Sequence, residues 1–329
     1  MKKIIFDRPG SAVLTDVPDR MPGAGELRIQ MAYSAISAGT ERANLTMGTD
    51  GFPRASGYSG SGIITDIGAE VTGFAVGDRV MVHGGGHQQF CTVPQSEIVV
   101  PLPDNVRLTD GALVIVSGFS LAGVRKARIE LGESAAVVGL GLLGLFAVQY
   151  LKAVGAWPII AVDYNPERRA LAKQFGADYC LDPSAPDYID TAKQITRQKG
   201  VNAVIEVTGS GAALNQALQY TAKFGRVVLL GCTRVPTEIN FYRDVHWPGI
   251  ELIGAHSGAR PQLESRPGCW TEKADCEVTI DMLSAGRLHF APVIHETVSP
   301  AQAPNVYGRL VNDRNFPIGV LFDWMHFSG

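Results

Sequence analysis

The sequence has little that would mark a secreted, membrane-spanning or nucleic-acid-binding chain. Its five cysteines, Cys91, Cys180, Cys232, Cys269 and Cys276, are odd in number, scattered, and never spaced as CxxC. That set fits free thiols in a reducing compartment better than a disulfide framework, so a cytoplasmic location is expected. No apolar run reaches the roughly 18 residues of a membrane span. The start, Met1-Lys2-Lys3, meets Asp7 and Arg8 after only a short apolar stretch, so no signal peptide is expected. With 29 Lys and Arg against 32 Asp and Glu, the net charge is −3. There is no basic surplus to hold nucleic acid or an acidic membrane surface. Internal repeats and low-complexity tracts are also missing. What is present is an ordinary globular composition: 329 residues, 46% hydrophobic, with 37 glycines for tight turns. One or two domains with a large core are expected.

The first third reads as all-β. Short apolar runs at 3–6, 26–35, 62–67, 78–82, 89–93 and 98–101 alternate with Gly, Pro and Asp. This spacing predicts a compact barrel-like domain. Residues 109–126 read as a helix. From Ser134 the rhythm becomes strand, helix, strand. Apolar strands are expected at 135–138, 158–162, 179–181, 203–207, 226–230 and 251–253. Helical patterns fall at 142–154, 166–175, 188–198 and 212–221. Six short apolar strands alternating with helices predict an α/β domain built on a doubly wound parallel sheet. Beyond about residue 258 the pattern is mixed, with a helix at 277–284 and a last strand at 319–322.

Gly139-Leu-Gly141-Leu-Leu-Gly144 is a GxGxxG that follows a strand and opens a helix. That context separates a dinucleotide-binding turn from a merely structural one. Gly139 permits the tight turn, Gly141 admits a pyrophosphate, and Gly144 lets helix and strand pack closely. The amides of Leu142, Leu143 and Gly144 at the helix start would face the anion. Asp163 ends the next strand, near the expected spacing of about 20 residues, where a carboxylate accepts from ribose hydroxyls and repels a 2′-phosphate. That favours NAD, with Arg168 and Arg169 as neighbours of opposite tendency; the other reading of Asp163 is a cap before Pro166. Ligands lie at the carboxyl ends of such strands. Thr208, Cys232, Thr233, His256 and Ser257 are therefore cofactor candidates, or simply turn residues.

The order of a β-rich domain, a Rossmann domain and a return segment resembles the medium-chain dehydrogenase/reductase superfamily, of the zinc alcohol and sorbitol dehydrogenase type. The resemblance rests on Ile36-Ser-Ala-Gly-Thr40-Glu41, Ser56-Gly57-Tyr58-Ser-Gly-Ser-Gly62, Val71 with Gly77-Asp78-Arg79-Val80, and the glycine turn. It implies a GroES-like catalytic domain at 1–117, an NAD-binding Rossmann domain at 118–258 and a return segment at 259–329. It also implies a homodimer or homotetramer.

The departures from that family are informative. Its first zinc ligand, a Cys, corresponds to Ala38. Its second, a His, corresponds to Tyr58, and its third to Ser117. Alanine cannot ligate, and neutral Tyr and Ser are poor zinc ligands. The structural-zinc lobe of four close cysteines is absent too. The expectation is therefore a zinc-independent member with no metal, similar to a branch that contains bacteriochlorophyllide dehydrogenase-like proteins and sugar or polyol dehydrogenases. A metal set of His83, His87 and Cys91 has unfamiliar spacing and is set aside.

Without a metal, hydrogen-bond donors must stabilise a developing alkoxide. The resemblance makes Thr40 the hydroxyl that starts a proton relay; otherwise it is a cap. Tyr58 can serve as acid in the reductive direction, but as a base it needs a value below the usual pKa of about 10; otherwise it fills the empty metal position. His87, in a glycine-rich loop, is suited to carry protons or is a surface residue. Glu41 braces the loop or acts as a base. Ser117 completes the polar set. The segment 256–270, with Arg260, Arg266 and Trp270, is a substrate loop or an oligomer contact. The leading expectation is an NAD(H)-dependent oxidoreductase acting on a secondary alcohol of a sugar, cyclitol or polyol. Two alternatives stand beside it: an NADPH-dependent quinone or enoyl reductase, and a non-catalytic NAD(H)-binding protein.

Overall fold

The computed structural model describes residues 1–48, 50–313 and 315–327. The chain forms two units, Met1–Val116 with Cys276–Gly329, and Ser117–Asp275.

The first unit begins with β1 (Lys2–Arg8), β2 (Ser11–Asp16), β3 (Glu26–Ala35), α1 (Ala38–Thr46), β4 (Arg54–Ala55), β5 (Ser59–Ile67), β6 (Arg79–His83), β7 (Phe90–Pro94), β8 (Val99–Pro101) and a short α2 (Leu108–Gly111). It is mostly β as expected, but α1 stands where a loop was read. The single helix expected at 109–126 is broken into α2 and α3 (Val114–Ala127).

The second unit takes most of α3 and then alternates six strands with four further α-helices. They are β9 (Ala135–Val138), α4 (Leu142–Val154), β10 (Ile159–Val162), α5 (Pro166–Gln174), β11 (Tyr179–Leu181), α6 (Tyr188–Ile195), β12 (Val201–Glu206), α7 (Gly211–Tyr220), β13 (Thr221–Leu229) and β14 (Glu251–Gly254). The strand order β11-β10-β9-β12-β13-β14 is parallel throughout. It reverses direction between β9 and β12, the topological switch point of a doubly wound sheet. All four residues of β9 and of β10 are buried, as continuous apolar strands covered on both faces must be. The helices carry local stop and start signals. Asn165 caps α5 by accepting from the amides of Glu167 (2.8 Å) and Arg168 (3.2 Å), with Pro166 in its first turn. Helix α6 stops at Ile195, short of 198, because Arg197 and Gln198 turn to positive φ.

The chain then returns through α8 (Glu272–Ser284), β15 (Ile294–Val298), α9 (Ala303–Asn312) and β16 (Gly319–Asp323). In the first unit β16, β5 and β7 all pair antiparallel with the long β3. Around it lies a core that includes Ile4, Phe6, Leu27, Ile29, Met31, Tyr307 and Phe322. Burial of each such side chain stabilises by about 1.5–3 kcal/mol.

The return begins later than the expected residue 259. Residues 259–275 group with the second unit because polar contacts tie them there. Lys126 Nζ donates to the carbonyls of Gly254 (2.9 Å) and Ala259 (2.7 Å). Asp275 is shared by Arg125 (2.7 Å) and Arg260 (3.2 Å). Among the described residues no helix is long and apolar enough to cross a membrane.

Candidate active site

The glycine turn lies between β9 and α4. Gly139 has φ +94°, and its amide donates to Val162 O at 2.8 Å. A Cβ on Gly144 would fall 1.9 Å from Gly139 O, whereas one on Gly141 would meet nothing within 4 Å. The third glycine is thus fixed by close packing, and the middle one leaves an open approach. The first intrahelical bond of this turn is Leu145 N to Gly141 O (3.0 Å). The amides of Leu142, Leu143 and Gly144 therefore precede it and are the orphan donors of a helix N-terminus.

Asp163, half-buried after β10, faces this turn. Its Oδ2 accepts from Leu140 N (2.7 Å) and its Oδ1 from Asn165 N (2.8 Å). The helix cap is Asn165, so the capping alternative for Asp163 does not apply. A carboxylate offers about four lone-pair sites, so both oxygens retain acceptor capacity for ribose hydroxyls. Arg169 is turned to other work: it donates to the carbonyls of Asp163 (2.6 Å) and Tyr164 (2.9 Å) and pairs with Asp182 (3.1 Å). Arg168 is half-buried, with its amide on the Asn165 cap.

The remaining cofactor candidates lie after β12, β13 and β14. Thr208 packs against Gly139, where a Cβ would meet its Cγ2 at 2.7 Å. The backbone of Cys232 presses on Gly209, and its thiol is exposed. Thr233 Oγ1 is buried with no hydrogen-bond partner. His256 is exposed and accepts from Gly258 N at 3.1 Å, and Ser257 is half-buried. One carboxylate in this region escaped the sequence reading. Glu206, last residue of β12, is fully buried, and its carboxylate accepts from Thr208 N (2.7 Å), Thr208 Oγ1 and Gly209 N (3.1 Å). Burial raises its carboxyl above the usual value, and these three donors oppose the rise only in part. The open glycine cradle, the helix amides, Asp163 and the orphan Thr233 hydroxyl fit a nicotinamide dinucleotide.

In the first unit a polar chain runs through the core. Tyr58 donates to Ser37 Oγ (2.7 Å), and its ring meets His83 edge-on at 5.8 Å. Ser37, the residue before α1, donates its amide to Glu41 Oε1 (2.8 Å). Glu41 Oε2 accepts from Tyr307 Oη and lies 3.1 Å from His87 Nε2. His87 Nδ1 is 2.6 Å from Ser34 Oγ, which accepts from Trp324 Nε1 at 2.8 Å. Indole can only donate, so the Ser34 proton is free for Nδ1, and the network assigns the His87 proton to Nε2, pointing at Glu41. Burial, reinforced by the Glu41 charge, pushes the Tyr307 hydroxyl well above the ordinary tyrosine value.

Several expectations change here. His87 is 0% exposed, so it is neither a surface residue nor a shuttle open to solvent. Gly57 is what lets its ring in: a Cβ there would lie 2.5 Å from it. Glu41 is a buried brace holding Ser37, His87 and Tyr307. Ser117 is fully buried, with its Oγ on Tyr150 Oη at 2.8 Å, so it is a packing residue of α3. Thr40 is half-buried on the first turn of α1, near Ser37 in sequence. Ser37 itself was missed, although a serine ahead of a helix is a cap signal; its hydroxyl serves Tyr58 and makes no cap hydrogen bond.

The three positions where the resemblance implies zinc ligands hold a methyl group and two hydroxyls already paired, with Ser37 and Tyr150. That donor set does not fit the N, S and carboxylate ligands zinc takes.

Comparison with known proteins bears on both units. The family model described as alcohol dehydrogenase GroES-like domain matches residues 23–104, and that described as zinc-binding dehydrogenase matches residues 143–266. The chain is 27% identical to D-guloside 3-dehydrogenase of Escherichia coli (strain K12), over 98% of this chain and 100% of that protein. It is 33% identical to (R,R)-butanediol dehydrogenase of Bacillus subtilis (strain 168), over 57% of this chain and 61% of the other. Among solved structures, an Escherichia coli oxidoreductase/dehydrogenase of unknown specificity superposes with a TM-score of 0.87 at 20% identity, covering 98% of each chain.

Proposed function

The chain belongs to the medium-chain dehydrogenase/reductase superfamily, and from that premise we propose that it is a zinc-independent, NAD(H)-dependent dehydrogenase interconverting a secondary alcohol of a sugar, cyclitol or polyol with its ketone. The observation that carries this reading is Tyr58, paired with Ser37, and Ala38 standing where the resemblance implies metal ligands. The relatives that act on a guloside and on butanediol support a secondary alcohol as the reacting group. Asp163 at the end of β10, with Arg169 committed to Asp182, supports NAD over its 2′-phosphorylated form.

The nicotinamide, when bound, supplies the hydride donor or acceptor. The protein's own task is the proton and the charge on oxygen. In the reductive direction Tyr58 gives its phenolic proton to the carbonyl oxygen and takes one from the Ser37 hydroxyl, which half-buried Ser37 regains from solvent. In the oxidative direction Tyr58 passes its proton to Ser37 Oγ as Ser37 releases its own to solvent, and Tyr58 then takes that of the substrate hydroxyl. The developing alkoxide is held by hydrogen-bond donors in place of a Lewis acid, Tyr58 and Thr40 being those at hand. Glu41 holds Ser37 through its amide and so fixes the relay's geometry.

The test is turnover by chelator-treated protein of measured zinc content, offered NAD and a panel of polyols, with NADH absorbance as readout. Activity without zinc supports the reading, and activity that returns only with zinc overturns it. Tight NAD binding with no turnover on broad alcohol and ketone panels would instead favour a non-catalytic binding protein.

A further inference from the structure

We propose that Glu206 is the electrostatic partner of the oxidised nicotinamide ring, biasing the protein toward NAD⁺ over NADH. The inference rests on the nicotinamide-dinucleotide reading of the glycine turn. Glu206 ends β12 and is in register with Val138, the last residue of β9. These two strands flank the switch point, across which a dinucleotide lies. Asp163 places the adenosine half over β10, on one side of β9. The nicotinamide half then extends over the carboxyl ends of β12 and β13. Glu206 is the buried carboxylate there, 0% exposed.

Among the described residues its oxygens meet hydrogen-bond donors and no cation. Thr208 N, Thr208 Oγ1 and Gly209 N bond its oxygens, and these donors, with no lysine or arginine among them, offset part of the cost of its burial. A buried carboxylate held by dipoles alone keeps most of its field, because nearby solvent and counter-charge do not cancel it. The oxidised ring carries a positive charge and the reduced ring none. The carboxylate therefore stabilises the oxidised form selectively. Glu206 also shapes the turn by holding Thr208 against Gly139. Charge and shape make different predictions.

The experiment measures dissociation constants of NAD⁺, NADH and ADP-ribose for the wild type and for Glu206→Gln. ADP-ribose lacks the ring and reports only on the shape of the site. If charge acts, Glu206→Gln weakens NAD⁺ relative to NADH and ADP-ribose by about tenfold or more, the effect of one unit charge as far as about 12 Å away at an effective dielectric near 20. Equal weakening of all three ligands overturns the proposal and leaves Glu206 as a turn brace. Glu206→Asp keeps the charge and must hold the NAD⁺ to NADH affinity ratio within about threefold, even if every ligand weakens. A tenfold change of that ratio with the Asp variant overturns the proposal also where the Gln variant fails to fold. Failure of wild type to bind ADP-ribose at all overturns the dinucleotide reading itself, and this inference with it.

Discussion

Replace Glu41 by glutamine. The carboxylate now serves three donors, two buried and one half-buried: Tyr307 Oη and His87 Nε2 on one oxygen, Ser37 N on the other. An amide has one oxygen and one NH₂. With its oxygen toward Tyr307 and His87, its NH₂ faces the Ser37 amide, donor against donor. The opposite orientation loses two bonds, so the first is adopted. One orphaned donor costs about 1–3 kcal/mol, and two charge-assisted bonds become neutral ones of roughly half the strength, a total of about 2–4 kcal/mol. Urea unfolding followed by far-ultraviolet circular dichroism reads this as an earlier transition of the first unit. Turnover per folded molecule should fall because the Ser37 amide is released, but by no more than about tenfold, since a brace acts through position and donates no proton to substrate. The reasoning is refuted if stability changes by less than about 0.5 kcal/mol while turnover collapses. Glu41 would then be the base.

Three further outcomes are expected. Asp163→Ser removes the acceptor from the end of β10 and should cut the preference for NAD over NADP by about tenfold or more; an unchanged ratio in a binding titration counts against the role given to this residue. The exposed thiol of Cys232, after β13, should be alkylated by iodoacetamide more slowly when NAD⁺ is bound, and equal rates by mass spectrometry would remove it from the cofactor site. Burial raises Asp275 to about 6 despite Arg125 and Arg260. A carboxyl raised on folding stabilises fully below its unfolded value near 4, and that contribution is lost as pH rises to about 6. The stability of Asp275→Asn minus that of wild type should therefore climb across this range, by up to about 3 kcal/mol; a flat or falling difference is the contrary result.

What could be read in advance was what is local. The 135–154 segment carries its apolar run, its glycines and its helix within twenty residues, and neighbouring periodicities settle it. Asp163 could be placed by spacing alone, although its bond to Leu140 N could not. The polar chain around His87 draws on Ser34, Glu41, Tyr307 and Trp324, spread over 290 positions. Nothing near His87 in sequence announces a partner for its ring, and its glycine-rich setting suggests exposure. Ser117 misled for the same reason, since Tyr150 lies a helix away. Glu206 was passed over because one acidic residue ending an apolar strand has no periodic signature.

The hydrogen bond from Trp324 to Ser34 gives the first unit an optical probe at the end of that polar chain. Trp157, Trp247 and Trp270 are 59%, 65% and 39% exposed, whereas Trp324 is 3% exposed. A quencher such as acrylamide will therefore silence the other three and leave emission from Trp324. Its wavelength and intensity then report whether Ser34, His87 and Glu41 remain in register, without a label and without turnover.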